Sequence, residues 1–169
     1  MGARRESEHT SMKNITTVEK KSERELLVTR TFNAPARIVF EAWTKPELMK
    51  RWWVPKSMGM SLLSCEMDVR VGGKYRFVFG QGMEFFGRYI EVTPHSRIVW
   101  TNEEGGADGS VTTVTFEEKG GKTLLVMSDL YPSKEALDAA GTGAADATHE
   151  TFTQLDELLV ELGASAGRS

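Results

Sequence analysis

The chain has 169 residues, 40% of them hydrophobic and 27% charged, with a formal net charge of −3. That length suits one domain with a sizeable core, and the composition is globular and not disordered. The mildly acidic balance argues against nucleic acid as a partner, and no apolar run reaches the ~18 residues of a bilayer span.

Cys65 is the single cysteine, so no internal disulfide is available. The first residues lack the apolar stretch of a secretory signal, and together these features predict a cytoplasmic protein. Residues 1–21 are polar and charged and read as a flexible tail, within which Met12 offers a second start and the stretch from Ile15 an edge strand. A single domain is expected over 22–163, followed by a short tail over 164–169.

Glu25–Phe32 (ELLVTRTF) is rich in β-formers and ends at Asn33-Ala34-Pro35, which predicts a strand. Ile38, Val39, Ala42 and Trp43, then Leu48, Met49, Trp52 and Trp53, recur at helical spacing and predict two short helices. Thr44-Lys45-Pro46-Glu47 between them matches a capping box with proline in the first turn.

From Met60 to Leu130 the period becomes two. Leu63, Cys65, Met67 and Val69 form the apolar phase of the first strand there, and glycine or proline turns separate five more. The pattern predicts an antiparallel meander. After Pro132 the period is helical again: Ser133 caps a first segment, Gly141-Thr142-Gly143 interrupts it, and Thr148, Phe152, Leu155, Leu159 and Leu162 stripe a last helix. That stripe must bury itself on the sheet, which gives an α+β architecture of six to seven strands around a long C-terminal helix.

Tyr75, Phe77 and Phe79 share one face of their strand, predicted to look inward, with Lys74 and Arg76 on the other. A concave sheet under one helix leaves a volume that Tyr75, Phe77, Phe79, Phe85, Tyr89, Trp100, Met127, His149 and Phe152 are placed to line. Arg76, Glu84, Arg88 and Glu91 are charged residues in aromatic-rich strands. They fit a solvent face better than a binding or acid–base role, although Glu84 and His149 are the residues an enzyme of this shape would use.

Two adjacent tryptophans do not readily face one core, so Trp52 and Trp53 mark a candidate partner surface or cavity mouth. Three dispersed histidines and one thiol give no metal-ligand spacing, Gly121-Lys122-Thr123 joins two strands and so is no phosphate loop, and no cofactor is expected.

Four stretches in this order, Phe32–Trp53, Val71–Phe77, Gly87–Thr101 and the run from VTFEEKGGKTLLVM to TFTQLDELL, resemble the START-like (SRPBCC) superfamily. More narrowly, they resemble the activator of heat-shock-protein-90 ATPase homologues. The resemblance spans about Leu26 to Leu162. It implies a helix-grip fold, as in the birch-pollen allergen, with a strand, two small helices, a curved sheet and a long helix closing a cavity. Relatives often carry Met and Gly where this chain has Ala144 and Ala147.

The resemblance implies binding of a small, mostly apolar molecule without catalysis, by a monomer or homodimer. Cyclase- or hydratase-type catalysis in the same cavity is the first alternative. A chaperone cofactor or stress-related interaction module is the second, and weaker, since the eukaryotic namesake binds the chaperone through a separate N-terminal domain for which 169 residues leave no room.

Overall fold

The computed structural model describes residues 16–59, 62–80, 84–103 and 109–168. The strands are β1 (Thr17–Lys20), β2 (Glu25–Phe32), β3 (Leu62–Met67), β4 (Lys74–Phe79), β5 (Glu84–Thr93), β6 (Arg97–Thr101), β7 (Val111–Lys119) and β8 (Lys122–Leu130). Helices α1 (Ala36–Thr44) and α2 (Pro46–Trp52) fall between β2 and β3, and α3 (Lys134–Arg168) follows β8. The strands make one curved antiparallel sheet in the order β1-β2-β8-β7-β6-β5-β4-β3. After β2 the chain crosses to the far edge through α1 and α2, then meanders back until β8 pairs with β2.

Alternation sets the inward face. Leu26, Val28, Arg30 and Phe32 of β2 are buried, as are Tyr75, Phe77 and Phe79 of β4 and Thr123, Leu125 and Met127 of β8. The β7–β8 hairpin closes at Lys119 and Lys122 through Gly120 and Gly121, whose φ values of 59° and 79° fit the tight turn that matches strand twist. Gly87 of β5 is needed for another reason. A Cβ there would lie 1.9 Å from the Thr101 carbonyl oxygen of β6 and 2.9 Å from the Tyr75 ring.

Helix α3 buries Phe152, Leu155, Leu158 and Leu159, each worth about 1.5–3 kcal/mol as an upper bound. It packs on α1, α2 and β2. The Phe152 ring meets Phe32 at 5.3 Å and Trp43 at 6.2 Å. Polar contacts fix its angle. Gln154, only 6% exposed, donates through Nε2 to the carbonyls of Trp52 (3.1 Å) and Val54 (2.9 Å) and accepts from the Lys56 N–H at 2.8 Å. Glu150 accepts from the N–H and hydroxyl of Ser57, and Arg51 pairs with Glu161.

Several sequence expectations need correction. The sheet has eight strands and not six to seven, because Thr17–Lys20, in the stretch from Ile15 that offered an edge strand, pairs with β2; residues 1–15 lie outside the described residues. Gly141-Thr142-Gly143 does not interrupt α3, whose backbone is helical from Lys134 through Arg168. A helical glycine costs only about 1 kcal/mol relative to alanine, and this segment is alanine-rich on both sides. The capping box does not form: Thr44 is the last residue of α1, its hydroxyl donates to the Phe40 carbonyl, and Lys45 takes the cap position of α2.

Leu63 is 67% exposed and not inward, because a bulge between Leu62 and Ser64 shifts the strand's phase. A similar irregularity between Tyr89 and Glu91 shifts the later phase of β5, so that Val92 lies opposite the buried Ile98. Ser133 does cap α3, accepting from the Ala136 N–H at 3.1 Å.

Candidate functional site

A cavity of about 400 Å³ opens between the concave face of β4–β8 and the helices. Its floor is aromatic because alternate residues of adjacent strands point the same way: Tyr75 and Phe77 from β4, Phe85 and Tyr89 from β5, Trp100 from β6, with Met127 from β8. Tyr75 lies 5.3 Å from Phe77 and 5.7 Å from Tyr89, ring centre to ring centre. The roof comes from Trp43 of α1, Met49 of α2 and Trp53 just after it, and Thr148 is the contribution of α3. Trp43 packs at 6.0 Å from both Trp53 and Trp100, tying roof to floor.

One end of the cavity is polar. The Trp100 indole N–H donates to Asn102 Oδ1 at 3.3 Å, and the Tyr75 hydroxyl reaches the same oxygen at 3.1 Å and the Thr101 carbonyl at 2.8 Å. Since the indole can only donate, the Asn102 amide is oriented with its NH2 toward Ser110 and Thr112. Asn102 Nδ2 donates to Ser110 Oγ and to Thr112 Oγ1, each at 3.0 Å. Thr112, receiving there, gives its own hydrogen to Asp129 Oδ1 at 2.5 Å. The chain of donors therefore runs in one direction and ends on a carboxyl group.

Asp129, half-buried, lines the cavity. Thr112 is its one hydrogen-bond partner among the described residues. Desolvation by the surrounding protein pushes its pKa above the usual carboxylate range, a push that the Thr112 hydrogen bond opposes. Tyr131, beside it, is pushed up to about 12, chiefly by burial and then by the Asp129 charge. Burial likewise raises the Tyr89 hydroxyl. Among the described residues no lysine, arginine or histidine lines the cavity.

Of the residues singled out from sequence, Tyr75, Phe77, Phe85, Tyr89, Trp100 and Met127 line this cavity together. Phe79 does not: it is buried one step along the strand against Phe85, at 5.2 Å. Phe152 is filled into the core between Phe32, Trp43 and Trp52. His149 is exposed on α3.

Trp52 is fully buried, its indole N–H donating to the Ala42 carbonyl at 2.9 Å, and so offers no surface to a partner. Trp53, half-buried, is a cavity wall. Asn102, Thr112 and Asp129 escaped the sequence reading. Asp129 had a visible signal, since it continues the inward phase of Thr123, Leu125 and Met127.

The charged residues of β4 and β5 project from the opposite, solvent face. Arg76 pairs with Glu84 at 2.8 Å, Arg88 with Glu103 at 3.0 Å and Arg97 with Glu91 at 3.1 Å. Cys65, half-buried on β3, has its thiol pKa raised to about 11 by burial and is correspondingly unreactive. Among the described residues no group of three or more His, Cys, Asp or Glu could hold a metal ion, and no helix is long and apolar enough to cross a membrane.

Residues 33–160 match the family described as "Activator of Hsp90 ATPase homolog 1-like protein". Among solved structures, a protein from Rhodobacter sphaeroides is similar at 26% identity and a TM-score of 0.79, covering 87% of this chain and 99% of that one. A protein from Nitrosomonas europaea is similar at 26% identity and a TM-score of 0.75, covering 86% and 99%. One from Staphylococcus epidermidis is 28% identical with a TM-score of 0.73, covering 86% and 94%. No curated protein matches the chain. The match over most of its length, on a helix-grip α+β fold, makes this chain a member of the family of activator of Hsp90 ATPase homolog 1-like proteins.

Proposed function

We propose that this protein is a cytoplasmic, non-catalytic binder of one small, mostly apolar molecule in the cavity between sheet and helices. The supporting observation is the cavity itself. At about 400 Å³ it falls in the usual range for small-molecule sites, and its lining is mostly aromatic with a few convergent polar groups at one end. An ordinary domain packs such a volume with side chains. Leaving it open forgoes dispersion contacts that a ligand would restore. Glu84 and His149, the residues an acid–base enzyme would have used, are respectively ion-paired on the outer face and exposed on α3.

Titration with the uncharged fluorescent probe Nile red tests the reading. One-to-one binding with blue-shifted emission is expected, abolished by Phe77→Asp and unchanged by His149→Asp. Absence of stoichiometric binding to the folded protein would overturn it.

A further inference from the structure

The polar end of the cavity is electrostatically one-sided. Among the described residues Asp129 is the only carboxyl in the lining, no basic side chain accompanies it, and the Asn102–Thr112 chain delivers donors to one carboxylate oxygen only. Oδ2 has no hydrogen-bond partner among the described residues. An ionised carboxylate with no cation nearby is costly inside a protein, so a positive charge on a ligand would be favoured beside Asp129.

The walls suit the same charge. Trp43, Trp53, Tyr75, Tyr89 and Trp100 turn aromatic surface toward the cavity, and aromatic faces attract ammonium groups most strongly where water is excluded. A ligand carboxylate or phosphate would instead meet Asp129 with no compensating base.

We propose that the preferred occupant is a mostly apolar molecule bearing one protonated amine, with the ammonium seated between Asp129 and the aromatic walls and the hydrocarbon over Phe77, Phe85 and Met127. This deepens the small-molecule reading above and rests on it. Within the site Asp129 is the specificity-determining residue, and Thr112 and Asn102 are positioning residues that hold its carboxyl toward the cavity. The groups around Asp129 are Leu26 across on β2, Thr112 across on β7 and Tyr131 beyond the end of β8, with Thr148 of α3 in the same lining. Of these only Tyr131 titrates, pushed up to about 12 chiefly by burial, so on acidification Asp129 is the one among them that takes up a proton.

Calorimetric titration of the full chain with octylamine, 1-octanol and octanoate, matched in hydrocarbon, tests the inference. At pH 7.5 octylamine is expected to bind about tenfold or more tighter than octanol, and octanoate weakest. In Asp129→Asn the amine's advantage is expected to vanish while octanol affinity stays within about twofold, which also reports an intact cavity. A second measurement needs no variant: in the wild type, octylamine affinity falls as acid protonates Asp129, and octanol affinity does not.

Octanol binding as tightly as octylamine, or an amine preference that survives in Asp129→Asn or is insensitive to acid, overturns this inference and leaves the cavity reading standing. Failure of all three probes to bind overturns both.

Discussion

Arg30 of β2, only 4% exposed, pairs through Nη2 with the Asp156 carboxylate of α3, and its guanidinium carbon lies 5.0 Å from the centre of the Phe32 ring. Its Nε and Nη1 are buried without hydrogen-bond partners among the described residues. Asp156, about a third exposed, is thus the only described counter-charge to a buried cation. Removing it strands that cation, a loss of about 3–5 kcal/mol for a buried pair, reduced here because Asp156 is partly solvated. Asp156→Ala is expected to lower the urea midpoint markedly. The double variant Arg30→Met, Asp156→Leu is expected to recover most of the loss, since an apolar pair needs no hydrogen bonds. A double variant no better than the single one would refute this account.

Gln154 holds the segment after α2 against α3 through three hydrogen bonds. Gln154→Leu keeps the bulk but leaves the Trp52 and Val54 carbonyls and the Lys56 N–H without this partner, at about 1–3 kcal/mol for each group that water does not reach. Because Trp53 lies in that segment, Nile red affinity is expected to fall along with stability. Chemical denaturation and probe titration of the same variant measure the two effects side by side.

Gly87→Ala is expected to disrupt the sheet, since the added methyl would sit on the Thr101 carbonyl and against Tyr75. A loss of about 2 kcal/mol or more is expected, in the range of strained, overpacked substitutions. Gly80→Ala is the control, because nothing lies within 4 Å of its Cβ position. Thermal melts of the two variants should separate clearly.

The pH dependence of stability follows from Asp129. Its carboxyl pKa is raised in the folded protein, so between the ordinary carboxylate range and that raised value the folded state binds more protons than the unfolded one. Its contribution is fully present below the ordinary value and is lost as pH rises through the raised one. In the absence of ligand, wild type minus Asp129→Asn stability should therefore decline on going from acid toward neutral pH. Urea denaturation at a series of pH values checks the sign; a difference that grows more favourable to wild type with rising pH would contradict it.

The six strands of the meander and the inward face of Tyr75, Phe77 and Phe79 were legible because alternation and turn residues agree along the whole stretch. Leu63 was misread since a bulge leaves no mark in composition, only in the pairing of Leu62 with Phe79 and Ser64 with Val78. The buried side of α3 proved wider than its leucine stripe, taking in Thr151, Gln154 and Leu158, because the helix touches α1 and α2 on one flank and β2 on the other. Trp52 and Trp53 part ways at the end of α2, one entering the core and the other the cavity wall. The polar end was harder to foresee: Asn102, Thr112 and Asp129 come from two strands and a loop, and only the register Thr112 to Asp129 brings two of them together.

The pairing of β2 with β8 also bears on how the chain comes off the ribosome. Phe32 lies opposite Thr123 and Glu25 opposite Leu130, so a strand made near the start gains its main neighbour only after some hundred further residues. Until then one side of β2 carries unsatisfied amides, and Val28 and Phe32 await a helix not yet synthesised. Such long-range closure slows folding and exposes the nascent segment to wrong partners. Closure of the sheet around β2 therefore waits on β8, and burial of its inward face on α3.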